Sequence, residues 1–174
     1  FWFADYLGDL DAVLDSPVLQ VPGHATVDLL GHSMGGNVVM SYAGVRPQRI
    51  RKLVNLEGFG MPRSLPDQAP QHLARWLDAL KTPQSLASYA SVEAVAERLR
   101  KNNPRLPAHR AAWLAAHWAE LREDGRWHIL GDPAHKRLSA LPYRVDETLA
   151  AWRRIASPVL WVEGDETDLS GWWG

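Results

Sequence analysis

The chain has no cysteine among its 174 residues. A disulfide framework, a thiolate metal site and a cysteine nucleophile are therefore all excluded. An excess of charge is also lacking: 19 basic and 20 acidic residues leave a formal charge of −1. A general nucleic-acid binder would carry a basic face, so that class is set aside. No apolar run approaches the ~20 residues needed to span a bilayer. Neither phosphate-loop pattern, G-x-x-x-x-G-K-[ST] or G-x-G-x-x-G, occurs, and the histidines are scattered with no H-E-x-x-H. A nucleotide site and a metal site consequently have no motif behind them, and no cofactor is called for. The cytoplasm is the expected compartment, and the oligomeric state is left open. The chain opens on Phe1 rather than methionine, inside a helical pattern, and stops just after a strand pattern. It reads as an internal fragment.

What the chain does have is Gly31-His32-Ser33-Met34-Gly35-Gly36. The apolar run from Val27 to Leu30 precedes it, and the helix-like Asn37 to Ala43 follows. Strand, tight turn and helix with G-x-S-x-G at the turn make a nucleophile elbow. A serine pushed out of so sharp a corner needs neighbours without side chains, which lets helix and strand approach. Backbone N–H groups at the start of the helix then face the reacting oxygen. Ser33 is the expected nucleophile, and the amide of Met34 one oxyanion donor. The competing explanation is a glycine-rich connection whose serine merely caps a helix.

Around this motif the pattern alternates strand and helix. Residues 2 to 14 place Trp2, Phe3, Tyr6, Leu7, Leu10, Val13 and Leu14 on one helical face, with Asp5, Asp9, Asp11 and Asp15 opposite. Thr26 to Leu30 and Ile50 to Leu56 read as parallel strands of a βαβ unit, buried in a sheet. Asp28 interrupts the first of them without evident reason. After Gly58 a long loop leads into helical patterns with no strands between them. These are Leu73 to Leu80, then Val92 to Leu99 behind the N-cap candidate Ser91, then Trp113 to Leu121 after Pro107. Trp127 to Leu130 reads as a short extended piece. Val145 to Ile155 returns as a helix, and Val159 to Val162 is a third strand. The expected fold class is α/β, a parallel sheet with flanking helices and an inserted helical block. The divisions are 1–66, 67–143 and 144–174. Nine tryptophans are many for this length. They serve either as core filler or as walls of an aromatic pocket.

Four stretches together resemble the α/β-hydrolase superfamily: Leu30 to Gly36, Tyr42-Ala-Gly-Val-Arg-Pro47, Lys52-Leu-Val-Asn-Leu-Glu-Gly58 and Pro158-Val-Leu-Trp-Val-Glu-Gly164. The resemblance covers nearly the whole chain. It implies a serine hydrolase whose triad runs Ser, acid, His. It also implies that the block 67–143 is a cap over the site. Asp168, after the third strand, is the preferred acid; Glu57, after the second, and Asp165 are the alternatives. The family's histidine follows the acid, and no histidine follows Asp168 here. His32, His117, His128 and His135 do not match its position: His117 is expected in the core of the cap, and His128 and His135 near the pocket. The family's second oxyanion loop would precede Phe1. The resemblance thus implies an esterase-like parent acting on a small hydrophobic acyl substrate, and an isolated 174-residue piece that is inactive. The alternative from another class is a non-catalytic binding protein on the same fold.

Overall fold

The computed structural model describes residues 2–19, 22 and 25–167. Three parallel strands lie in the order β1-β2-β6: β1 (Val27–His32), β2 (Ile50–Leu56) and β6 (Val159–Val162). The β1–β2 pairing runs from Val27↔Ile50 to His32↔Leu56 and slips once, skipping Arg51. That bulge accounts for Asp28. Arg51, left out of the register, grips the Asp28 carboxylate with two hydrogen bonds of 2.9 and 2.7 Å.

Helices α1 (Phe3–Asp15), α2 (Met34–Val45) and α6 (Val145–Trp152) supply the packing for one face of this sheet. The core joins Leu14, Val39, Met40, Tyr42, Ala43, Ile50 and Leu53, with Leu7, Leu10, Leu29 and Trp152 against it. Residues of α2 are buried from Gly36 to Gly44 almost without interruption, as expected of a helix enclosed on several sides. At Gly44 an added Cβ would run into the carbonyl oxygen of Ala151, so glycine is what lets α6 come this close. The acidic side of α1 is not simply solvated. Asp11 accepts from the Tyr42 hydroxyl at 2.7 Å and Asp15 from Arg49 at 2.8 Å, tying α1 to the far end of α2 and to the turn that follows it. Burial, and secondarily the Asp11 carboxylate, push the Tyr42 hydroxyl pKa up to about 12.

Burial on both faces is not what β1 and β6 have. Leu30 is 64% and Leu160 59% exposed, and the two flank Val54 in one rung. The physical reason is that α1, α2 and α6 all pack with the opposite face.

Compactness divides the chain into Phe1–Trp76 with Ser139–Gly174, and Leu77–Leu138. The second unit holds α4 (Val92–Asn102) and α5 (Ala108–Trp118) around Val95, Ala115 and Ala119. Ser91 caps α4, its hydroxyl accepting from the Ala94 amide at 3.3 Å. The helices are not the whole of it. β3 (Ser88–Tyr89), β4 (Ala119–Leu121) and β5 (Trp127–Ile129) form an antiparallel sheet in the order β3-β5-β4. The sequence reading carried α5 on to Leu121. The chain instead turns extended at Ala119 because Gly125, at φ 73, closes a hairpin that pairs Leu121 with Trp127. A three-residue strand is too short for periodicity to separate it from a helix end. The remaining helix, α3 (Ala69–Leu80), has no buried residue. Among the described residues no helix is long and apolar enough to cross a membrane.

Candidate active site

Ser33 stands between the last residue of β1 and the first of α2, with φ 52 and ψ −118. This left-handed backbone costs a non-glycine residue about 1–3 kcal/mol, so the surroundings must enforce it. Three contacts do so. The Ser33 amide donates to the Leu56 carbonyl at 2.8 Å, extending the strand pairing one residue past His32. The Ser33 carbonyl accepts from Asn37 at 3.2 Å, starting the helix. Gly31 faces the backbone of Gly35 and Gly36 so tightly that a Cβ there would overlap the Gly35 carbonyl oxygen and lie 2.7 Å from the Gly36 nitrogen. Ser33 is exposed, and so is Met34 at 50%. The Met34 amide belongs to the first turn of α2, whose N–H groups have no acceptor within the helix.

A second layer of contacts, absent from the sequence reading, pins the start of α2 to the end of β2. Asn55 is fully buried in mid-strand. Its side chain donates to the Gly58 carbonyl at 3.0 Å and accepts from the Gly58 amide at 2.9 Å. Asn37, on α2, accepts from the Gly60 amide at 2.7 Å. Gly36 and Gly58 meet face to face; a Cβ on Gly36 would overlap the Asn55 Oδ1 and sit 2.9 Å from the Gly58 Cα. The signal available in the sequence is an asparagine in the apolar second half of β2 with glycine three residues further on.

Glu57 shares Ser33's unusual backbone, at φ 54. Its amide donates to Val162 at 2.9 Å, and its carboxylate accepts from the Gly164 amide at 2.7 Å and the Thr167 hydroxyl at 2.6 Å. The Thr167 hydrogen bond, then the Gly164 amide, hold its carboxyl below the usual glutamate range, with a smaller contribution from His32. Ser33, Glu57 and Gly164 thus lie at the carboxyl ends of three adjacent strands, the edge where open α/β sheets place their sites. Asp165 is exposed in the turn after β6. Asp168 lies outside the described residues.

No described histidine is hydrogen-bonded to Ser33. His32 is exposed at the end of β1. His117 is not a core residue: it is exposed and stacks on the equally exposed Trp113 at 4.3 Å, because the inner face of α5 is taken by Ala111 and Ala115. His128 pairs with Asp124 at 2.8 Å, and His135 contacts the Asp132 carbonyl at 3.2 Å. A cavity of about 540 Å³ in the first unit is lined by Trp2, Phe3, Leu7, Val45, Leu73 and Tyr143 among others. It reaches α2 at Ser41 and Val45. Ser41 is eight residues beyond Ser33, about 12 Å along a helix axis, so this cavity does not hold the serine. Among the described residues no group of three or more histidine, aspartate or glutamate side chains is placed to hold a metal ion.

A three-stranded parallel sheet and its helix-starting turn point one way, and the comparison with family models agrees. The model for the α/β-hydrolase fold matches residues 3–172. The chain belongs to the α/β-hydrolase family.

Among solved structures it is similar to the thioesterase domain from the curacin biosynthetic pathway, at 26% identity and TM-score 0.77, over 96% of this chain and 58% of that one. It is equally similar to a hypothetical protein from Pseudomonas aeruginosa PAO1, at 25% identity and TM-score 0.77, over 98% and 59%. E-2-(acetamidomethylene)succinate hydrolase, at 20% identity and TM-score 0.66 over 96% and 57%, shares the fold. The chain therefore spans somewhat under three fifths of the length of these three structures. No curated protein matches it.

Proposed function

We propose that Ser33 is the nucleophile of a serine hydrolase acting on a carboxylic ester, thioester or related acyl substrate. The observation that carries this reading is the left-handed backbone at Ser33, held at the carboxyl edge of the sheet where a helix begins. In this nucleophile elbow the hydroxyl attacks the acyl carbon. Charge develops on the carbonyl oxygen, and the Met34 amide is one donor to it. Asp168 is the acid of the triad, with Glu57 and Asp165 as alternatives. The general base is assigned to none of the described histidines, since none is hydrogen-bonded to Ser33. The similarity to a thioesterase domain supports the acyl class.

The test is covalent labelling by a fluorophosphonate of the longest form of the protein that carries this chain, read by mass spectrometry. Label on Ser33, lost in Ser33→Ala, is the expected outcome. Absence of label there leaves ligand binding without catalysis as the function of this fold.

A further inference from the structure

The Glu57 carboxylate crosses from the end of β2 to the segment that follows β6. Two donors, Gly164 N–H and Thr167 Oγ1, bond the same oxygen, Oε1, at 2.7 and 2.6 Å. Both also belong to one turn, closed by the Thr167 amide donating to the Gly164 carbonyl at 3.1 Å. The fit is close: a Cβ on Gly164 would lie 2.9 Å from Glu57 Oε1 and 3.0 Å from Thr167 Oγ1. Glycine at 164 is thus part of the arrangement. So is the left-handed backbone of Glu57, which turns the side chain out of the strand's alternation while its amide stays paired with Val162. One rung away, the Ser33 amide is bonded to Leu56, the residue before Glu57.

We infer that Glu57 is a positioning residue: its carboxylate clamps the turn Gly164–Thr167 to the end of β2, and so fixes, relative to Ser33, the turn that Asp168 follows in the sequence. The inference rests on the reading of Ser33 as nucleophile and Asp168 as acid, and it removes Glu57 from the candidates for the acid itself. The clamp works in two parts. An ionised carboxylate accepts both bonds at once, and the threonine hydroxyl keeps the turn from rotating away. A loop displaced by about an ångström costs on the order of a hundredfold in rate when it carries a catalytic group.

Two measurements test it, on the same form of the protein. Amide hydrogen exchange reads the clamp without any chemistry. Glu57→Ala should speed exchange at Gly164 about tenfold or more, with Leu53 and Val54 unchanged. Glu57→Gln, which keeps a carbonyl acceptor, should rescue part of the protection. Unchanged exchange at Gly164 in Glu57→Ala overturns the clamp. Fluorophosphonate labelling reads its consequence. Glu57→Gln and Thr167→Val should lower the maximal labelling rate at Ser33 by similar factors, about tenfold or more, and leave the half-saturating concentration in place. The double variant should be no slower than the worse single one, as for two ends of one contact. If Glu57→Gln abolishes labelling while Thr167→Val labels at the wild-type rate, Glu57 is the acid and the inference is wrong. If the wild type is not labelled at all, it is the nucleophile reading that fails, and the exchange result still decides the clamp.

Discussion

Ser33 and Glu57 are the two described non-glycine residues held at positive φ, and they sit on adjacent strand ends. Strain at one of them alone would be a local curiosity; at both, it marks the edge where side chains are being aimed. The cost at Ser33 is measurable. Ser33→Gly removes the Cβ that opposes φ 52, so it should be more stable than Ser33→Ala by about 1 kcal/mol in urea unfolding. Equal stability would mean the turn relaxes when the hydroxyl is gone. For Glu57 the relevant variable is pH. Its folded pKa is depressed, by Thr167, Gly164 and, more weakly, His32. Its contribution to stability is therefore fully present above the unfolded value near 4.5 and is lost as pH falls through the lower folded value. Asp11, Asp28 and Asp124 are also depressed and add to the same acid limb. The Glu57 share is the difference between wild type and Glu57→Gln, followed from pH 6 to pH 3. That difference should shrink as the carboxylate protonates; a constant difference would show that the charge is irrelevant.

At the scale of elements, the βαβ unit depends on contacts too close for side chains. Gly31 lies against Gly35, Gly36 against Gly58 and Asn55, and Gly44 against Ala151. Backbone stands opposite in each case and cannot swing aside as a side-chain tip can. Asn55 closes the arrangement by bonding both polar groups of Gly58. Asn55→Leu should cost about 1–3 kcal/mol, since the Gly58 amide is then left buried without its partner. Its effect should extend to labelling at Ser33, because Gly58 and Gly36 move together. Leu53, 1% exposed, marks the centre of the sheet–helix core. Leu53→Ala should cost about 2–5 kcal/mol in chemical denaturation. A loss below 1 kcal/mol would mean that α2 does not pack there. Strand β2 was legible to the residue because Pro47 ends the helix before it and Gly58 follows, leaving a short run rich in branched residues between two breakers. In the second unit only β5 was, as the extended piece beginning at Trp127; β3 and β4, of two and three residues, leave no period to count.

For the molecule as a whole, one face of the parallel sheet carries helices and the other presents Leu30, Leu160 and Val162, at 64, 59 and 40% exposure. An apolar sheet surface of this kind promotes association. The 174-residue chain should bind a hydrophobic dye and scatter light at concentrations where Leu30→Lys together with Leu160→Lys stays monodisperse. Equal behaviour of the two proteins would show that this face is not what associates.

Some of this protein was determined by order along the chain alone. Glycines flanking Ser33, an apolar run before it and a helical pattern after it can be satisfied by few backbones, so the motif carried its own local geometry. The parallel strands followed, because a strand–helix–strand sequence closes in one hand. Partnership across the fold was different. That Asp28 answers Arg51 through a bulge, that Asn37 reaches Gly60, and that Glu57 reaches Gly164 and Thr167 over 107 and 110 positions, depends on distances that no spacing encodes. Those contacts exist only once the elements lie side by side, since only the packed sheet brings their ends within hydrogen-bonding reach.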